Sequence, residues 1–201
     1  MVHAPFNNDS YIGPEIRALV KAWSIRTIIE TGTWSAHTTR EFAKMGPYVM
    51  TIDSTWDHLM EEFGQDAVLD LMRLKIEPVL GDSSKLLSGL IDSAFHPILF
   101  YLDAHGGGAN ESNVNPFLEE LEQIALVESC RDSCVIVIHD FKVPDKEWGY
   151  NWGAWDGREP EPLSYELISS YLERIYPDGH NYHYNEEADG MQRGVIYIYP
   201  S

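Results

Sequence analysis

Residues 25–39, IRTIIETGTWSAHTT, combine a β-branched run, a glycine turn and the start of a helix. Residues 25–30 are predicted to form a strand, because branched apolar side chains favour a buried, pleated backbone. Gly32 permits a tight turn and a close approach of the backbone to a ligand. The helix predicted for residues 36–44 is stopped by Gly46. A strand followed by a glycine turn and a helix is the unit from which parallel sheets are built.

The strand–helix alternation is repeated along the chain. Further strands are predicted at residues 48–53, 76–80, 98–103 and 134–140. Helices are predicted, from apolar residues at helical spacing, at residues 14–23, 56–74 (one continuous element), 86–91, 116–128 and 164–175. Two late strands with no helix between them close the pattern at residues 180–184 and 194–199. We therefore predict an α/β fold with a doubly wound, Rossmann-like, seven-stranded and mostly parallel sheet, one antiparallel strand, and helices on both faces.

Length, charge and cysteine content restrict the class of protein. The 201 residues suit a single domain, residues 1–201, in which residues 1–24 form an N-terminal helical extension. A net charge of −18 argues against nucleic acid and anionic membranes as partners. The first ten residues lack a signal-peptide pattern and no run reaches the roughly 18 apolar residues of a membrane span, so a cytoplasmic protein is expected. Cys130 and Cys134 are expected to be reduced and buried.

Polar residues follow every predicted parallel strand, where ligands of doubly wound sheets bind. These strand-end groups are residues 30–35, 53–54, 81–84, 103–106 and 139–140. Asp53 lies 21 residues after Gly32, close to the offset of about 20 at which a carboxylate meets ribose hydroxyls. The second and third glycines of the G-x-G-x-x-G pattern are absent, which disfavours a pyrophosphate and therefore NAD. A nucleoside cofactor without phosphates fits this loop better.

Residues 30–39 resemble the first motif of class I methyltransferases. The likeness is strongest to the E-x-G-x-x-x-G-x-[ST] form of the macrocin O-methyltransferase and cephalosporin hydroxylase group, with Ala36 where a glycine is usual. This resemblance implies S-adenosylmethionine as cofactor and methyl transfer to a small-molecule acceptor, at a hydroxyl group. The cofactor contacts that it implies are Glu30, Gly32, Thr33, Trp34, Ser35, Asp53, Ser54, Trp56, Asp82, Ser83 and Asp103.

The resemblance also assigns roles within this set. Asp53 would hold the ribose diol, and Asp82 would accept a hydrogen bond from the adenine amine. Glu30, with Gly32 and Ser35, would surround the methionine part of the cofactor. The alternative for Asp53 and Asp82 is that each caps the helix that follows it.

Asp103 and Asp140 end two strands that are expected to be neighbours, so their carboxylates could share Mg²⁺ or a similar divalent cation. Catechol O-methyltransferase and its relatives place metal-binding carboxylates at these two positions, followed by an Asn where this chain has Phe141. His105 or His139 could supply a third ligand or act as the base. His139 could instead point into the core, and Asp140 could be a structural cap.

The predicted loop at residues 142–162 contains four large aromatic side chains, namely Trp148, Tyr150, Trp152 and Trp155. A lid that encloses a flat or sugar-like acceptor is one use for them. Packing against a partner subunit, in a homodimer, is the other.

Three functions of other classes stay open at this point. The fold also suits a nucleotide- or NAD-binding enzyme, and it suits a binding protein without catalysis. A hydroxylase would need an iron site, for which His105, His139 and Asp103 or Asp140 would be the ligands.

Overall fold

The structure is a computed structural model that describes residues 4–104, 115–153 and 159–201. The strands are β1 (Thr27–Thr31), β2 (Tyr48–Asp53), β3 (Ile76–Leu80), β4 (Ile98–Leu102), β5 (Cys134–His139), β6 (Trp152–Gly153), β7 (Glu161–Pro162), β8 (His180–Tyr184) and β9 (Val195–Pro200). The α-helices are α1 (Ile12–Ala22), α2 (His37–Ala43), α3 (Asp57–Phe63), α4 (Ala67–Arg73), α5 (Ser83–Ser93), α6 (Phe117–Leu126) and α7 (Tyr165–Ile175). Short 3₁₀ helices lie at Pro5–Asn8 and Glu128–Cys130.

Seven strands form one sheet in the order β3-β2-β1-β4-β5-β9-β8. Strands β1 to β5 are mutually parallel, whereas β9 runs antiparallel to both β5 and β8. The predicted sheet, with its one antiparallel strand contributed by the closing hairpin, is confirmed. The order reverses between β1 and β4, so the carboxyl ends of these two strands border the crevice in which ligands of such sheets bind.

Each face of the sheet packs against its own layer of helices. Leu99 and Tyr101 of β4 belong to the core formed with α1 to α4, while Phe100 and Leu102 belong to the core formed with α5, α6 and α7. All five residues of β4 are buried, as expected for a parallel strand covered on both faces. His139 lies on the same face as Tyr101, with the two rings 6.0 Å apart. Both cysteines are buried and free, as predicted.

The N-terminal strap, residues 5–10, crosses the α1–α4 side of the sheet. Three consecutive non-glycine strap residues have left-handed φ values between 54° and 64°. Phe6 is buried, and its ring lies 6.2 Å from that of Tyr101. The strap also donates two hydrogen bonds to Asp189, of 2.6 and 2.7 Å, and accepts one from the backbone N–H of Met191. These contacts hold the strap to the segment between β8 and β9.

The prediction of one helix over residues 56–74 is wrong, because the segment forms two helices, α3 and α4. The break is at Gly64, which has φ 85° and ψ 177° and ends α3. Leu59 and Leu71 still pack in the same core, so the apolar period continues across the break. Phe63, expected on the buried side, is 40% exposed. Among the described residues, none of the helices is long and apolar enough to cross a bilayer.

Candidate functional site

Gly32 begins the turn after β1 and lies against the backbone of Asp103, the residue that follows β4. Its φ is +86°, and a Cβ atom there would lie 2.5 Å from the backbone oxygen of Asp103 and 2.8 Å from its carbonyl carbon. Its N–H donates to the carbonyl of Ile52 in β2. Ala36, at the second glycine position of the resemblance, also has a left-handed backbone, with φ 58°. The turn therefore needs glycine at position 32 and accepts a strained alanine at position 36.

The carboxylate of Asp53 reaches from the end of β2 to the turn after β1. It accepts hydrogen bonds from the backbone N–H groups of Trp34, at 2.8 Å, and Thr55, at 3.1 Å. Burial raises the pKa of this carboxyl above its usual value, although the backbone hydrogen bonds act in the opposite direction. The indole of Trp34 is half-exposed and stacks on the ring of His58, with centroids 3.7 Å apart. Asp53 and Trp34, both predicted as cofactor contacts, thus lie side by side at the carboxyl ends of the strands.

Glu30 is fully buried, in the α1–α4 side of the sheet. Its Oε2 atom accepts hydrogen bonds from the hydroxyls of Thr39, at 2.5 Å, and Thr51, at 2.6 Å. Burial raises the pKa of Glu30 to about 8, despite these two hydrogen bonds. The hydroxyl of Thr33 lies 2.6 Å from that of Thr51, which extends the same buried network. Through this network Glu30 and Thr33 support the turn after β1 from the α1–α4 side of the sheet.

The remaining predicted cofactor residues lie along the same edge. Asp82 is exposed and is the N-cap of α5, where it accepts a hydrogen bond from the backbone N–H of Ser84 and pairs with Lys85. The alternative of a helix cap is therefore present for Asp82, and its carboxylate remains accessible. Ser83 is buried, as is Ser35, while Ser54 is exposed.

Trp56 is half-buried and packs against the core formed with α1 to α4. Its ring is therefore committed in part to the core, whereas the resemblance places it beside the adenosine.

A compact charge cluster lies beyond the ends of β4 and β5. Nδ1 of His139 is 3.1 Å from Oδ1 of Asp103 and 3.4 Å from Oδ1 of Asp140. Nε of Arg193 is 3.4 Å from the same Asp140 oxygen. Burial lowers the pKa of His139, but the charges of Asp103 and Asp140 outweigh it and raise this pKa to about 9. At neutral pH His139 is therefore an imidazolium held between two carboxylates.

Asp140 can contact His139 because its backbone leaves the strand conformation. Neighbouring residues of a strand point to opposite faces, but Asp140 has φ 55°, which turns its carboxylate back toward His139. His139 is fully buried, and its Nδ1 atom faces the charge cluster.

The cluster has the donor set of a divalent-cation site. One ligand atom from each of Asp103, His139 and Asp140 lies within 4.8 Å of the other two. Two carboxylates and an imidazole suit a transition-metal ion such as Mn²⁺ or Fe²⁺ better than Mg²⁺, which prefers oxygen ligands. His105, the third ligand or base expected from the sequence, lies outside the described residues.

Two charged residues beside the site were missed by the sequence reasoning. Arg193 gives no signal before the fold is known, because it lies 53 positions after Asp140 in a polar loop. Glu120 did give a signal, since it is a charged residue within the apolar stripe of α6, one turn after Phe117 and one turn before Ile124.

Comparison with known proteins gives matches by structure alone. No protein-family model matches the chain, and no curated protein matches it by sequence. An O-methyltransferase from Bacillus cereus, solved in complex with S-adenosylhomocysteine, superposes with a TM-score of 0.56 at 18% identity, over 94% of this chain and 80% of that one. The N-terminal domain of EvdMO1 with S-adenosylhomocysteine bound gives 0.55 at 15% identity, over 94% and 80% of the two chains.

Intact EvdMO1 gives a TM-score of 0.52 at 18% identity over 92% of this chain. The matched region covers 39% of the EvdMO1 chain. Together these similarities show that the chain has the class I methyltransferase fold expected from the resemblance of residues 30–39. At such identities they establish the fold, and the activity has to be argued from the site.

Proposed function

We propose that this chain is an S-adenosylmethionine-dependent methyltransferase that acts on a hydroxyl group of a small molecule. The observation that carries this proposal is the arrangement around Gly32. The turn is pressed against the backbone of Asp103 on one side and donates a backbone N–H to the carboxylate of Asp53 on the other. Two acidic residues thus flank the turn, which has no room for a Cβ atom at position 32. A cofactor with a ribose diol at one end and an ammonium group at the other complements this arrangement.

In this proposal Asp53 binds the two ribose hydroxyls through the lone pairs that its backbone donors leave available. Asp82 and Ser83, at the start of α5, lie at the adenine end of the crevice. Asp103 lies at the methionine end, with its side chain 24% exposed. S-adenosylhomocysteine in the structural neighbours named above supports this assignment at the level of the fold.

The charge cluster supplies the acceptor end of the site. In the reaction the bond between the methyl carbon and the sulfonium sulfur breaks as a carbon–oxygen bond to the acceptor forms, and the hydroxyl proton has to leave. His139 already carries a proton between Asp103 and Asp140, so it does not take this one at neutral pH. Of the two carboxylates Asp103 is the more exposed, and we assign it as the proton acceptor. His139 then orients the carboxylate of Asp103, and the positive charge of Arg193 offsets the negative charge of Asp140.

A divalent cation fits this donor set, with Asp103, His139 and Asp140 as its protein ligands. When bound, such an ion would lower the pKa of a coordinated acceptor hydroxyl. His139 has to lose its proton before its Nδ1 atom can bind the metal, so proton and metal compete for this residue.

The aromatic loop at residues 142–162 is our candidate for the acceptor wall. The N–H of Asn151 donates to the carbonyl of Asp140 at 2.9 Å, which fixes the loop next to the charge cluster. The rings flanking Asn151, Tyr150 and Trp152, lie 5.6 Å apart, and Trp152 is 56% exposed. An exposed ring beside the cluster suits a flat or sugar-like acceptor. Trp155, the fourth aromatic residue of the prediction, lies outside the described residues.

Calorimetric titration with S-adenosylhomocysteine tests this function directly. The wild-type chain should bind it with micromolar affinity, and Asp53→Ala should weaken binding at least tenfold, about what loss of a charge-assisted hydrogen bond gives. Asp57→Ala is the matched control, because Asp57 is an exposed carboxylate four residues away in α3. No binding by the wild-type chain, or equal binding by the Asp53 variant, would contradict the proposal.

A further inference from the structure

Glu120 is a carboxylic acid inside the apolar face of α6. The face consists of Phe117, Leu118, Leu121, Ile124 and Ala125, all buried. Glu120 is 0% exposed, whereas its neighbour Glu119 points to solvent. A carboxyl group is seldom buried in such a position unless its neighbours require it.

The contacts of Glu120 join the two loops that flank the proposed cofactor crevice. Its Oε2 atom accepts a hydrogen bond of 3.4 Å from the hydroxyl of Thr31, the last residue of β1. The Thr31 oxygen in turn accepts one of 3.3 Å from the backbone N–H of Asp103. The side chain of Ser83, the first residue of α5, also lies close enough to the Glu120 carboxyl to lower its pKa. Glu120 therefore connects the ends of β1 and β4 with the start of α5.

The next turn of α6 reinforces the same connection. Gln123 donates from its side-chain amide to the backbone carbonyls of Ser83 and Ser84, and its Oε1 atom accepts from the N–H of Ser88. Gln123 of α6 is thus hydrogen-bonded to the first two turns of α5, behind the residues assigned to the adenine.

The second carboxyl oxygen of Glu120 is isolated. Oε1 is buried and has no hydrogen-bond partner among residues 4–104, 115–153 and 159–201. Burial raises the pKa of Glu120 to about 7; the side chains of Ser83 and Thr31 oppose this rise, and the charges of Glu119 and Asp82 add to it. The Glu120 carboxyl is therefore largely protonated below neutral pH. Its buried Oε1 atom, which lacks a partner among the described residues, is expected to reduce the stability of the fold.

We propose that Glu120 is a positioning residue that fixes the turn after β1 relative to the start of α5. The two ends of the cofactor are then bound by one rigid unit. The inference rests on the proposed function. A group that lowers the stability of the fold while joining two ligand-binding loops is what a positioning role would require. Glu120 touches neither the proposed cofactor nor the acceptor, because it is fully buried behind both loops.

Replacement of Glu120 by residues of similar size separates positioning from packing. Glu120→Gln keeps an acceptor oxygen for Thr31 and Ser83, and should bind S-adenosylhomocysteine within about threefold of wild type. Glu120→Leu keeps the volume and removes the acceptor, and should bind about tenfold more weakly, with a Tm at least equal to that of wild type. Glu119→Leu, the same change one residue earlier on the exposed side, should alter neither value.

The outcomes separate this inference from the proposed function. If the wild-type chain does not bind S-adenosylhomocysteine, the proposed function fails. If the wild-type chain binds and the Leu variant binds equally well, or the Gln variant is as weak as the Leu variant, the role of Glu120 is refuted. Should Glu120→Leu not fold, Thr31→Val removes the donor of the same hydrogen bond and should weaken binding in the same direction. Wild-type affinity in Thr31→Val would then overturn the inference.

Discussion

Replacement of Gly32 by alanine tests the close approach of β1 and β4 with a single methyl group. The new Cβ would lie 2.5 Å from the backbone oxygen of Asp103, where an ordinary contact is about 3.5 Å or more. The obstacle is backbone, held by the hydrogen bond from the Asp103 N–H to the carbonyl of Thr31, so it cannot rotate away as a side chain would. The φ of +86° adds its own penalty for any residue with a Cβ.

The two effects can be separated with a second glycine. Gly64 has nearly the same φ, +85°, but a Cβ there would meet no atom within 4 Å. Gly64→Ala should therefore report the backbone penalty alone, about 1–3 kcal/mol. Gly32→Ala should add the collision, for a total of about 3–5 kcal/mol, in the range of the most damaging single substitutions. For a chain of this length the Tm should fall by about 6–20 °C in Gly32→Ala and by about 2–12 °C in the control, with the larger loss in Gly32→Ala.

Thermal unfolding followed by circular dichroism, together with calorimetric titration of S-adenosylhomocysteine, gives both readouts. Gly32→Ala should lose binding even at temperatures at which it is folded, because the turn can only accommodate the methyl group by moving away from Asp103. Gly64→Ala should bind as the wild-type chain does. Equal Tm losses in the two variants would refute the close approach, since only the collision distinguishes them.

Two further predictions concern protons. The pKa values of Glu30 and Glu120 are raised from 4.5 to about 8 and about 7; the folded chain therefore keeps protons that the unfolded chain releases, and the Tm should fall as the pH rises from about 5 to 8. Glu30→Gln should flatten part of this slope, and an unchanged slope would contradict the buried, protonated state. In the charge cluster, Mn²⁺ titrated by calorimetry should bind more tightly as the pH rises, with release of a proton from His139. Asp140→Asn should abolish that binding, whereas pH-independent binding, or retention in the variant, would exclude the site.

Hydrophobic pattern was enough to predict the sheet, since β2, β3 and β8 begin and end at the residues expected from the sequence. It failed at residues 56–74, where Leu59 and Leu71 keep a helical period although Gly64 breaks the helix between them. A hydrophobic period indicates which residues face the core, and two short helices that pack on the same core can share one period. Hydrophobic periodicity alone therefore cannot distinguish one long helix from two short ones in this segment.

The positions of site residues that are set by the order of the strands could be predicted from the sequence. The positions that depend on a single backbone torsion could not. Asp53 and Asp103 follow strands whose ends must meet, so their positions beside Gly32 could be expected. The contact between His139 and Asp140 depends on the left-handed backbone of Asp140, which no neighbouring residue type demands. Arg193 reaches the cluster only through the closing hairpin, a long-range contact without a local signal.

The N-terminal strap has a consequence for the order in which the molecule is made. Asp189, which binds the strap, follows Ser10 by 179 positions, so the strap leaves the ribosome well before its partner does. At 5–20 residues per second this separation amounts to roughly 9–36 s of translation. Phe6 can pack against Tyr101 during this interval, but the hydrogen bonds of Ser10 to Asp189 cannot yet form. The segment that contains Arg193 is thus held by residues that lie 179 positions apart, and this contact can form only after strands β1 to β5 and β8 have been made.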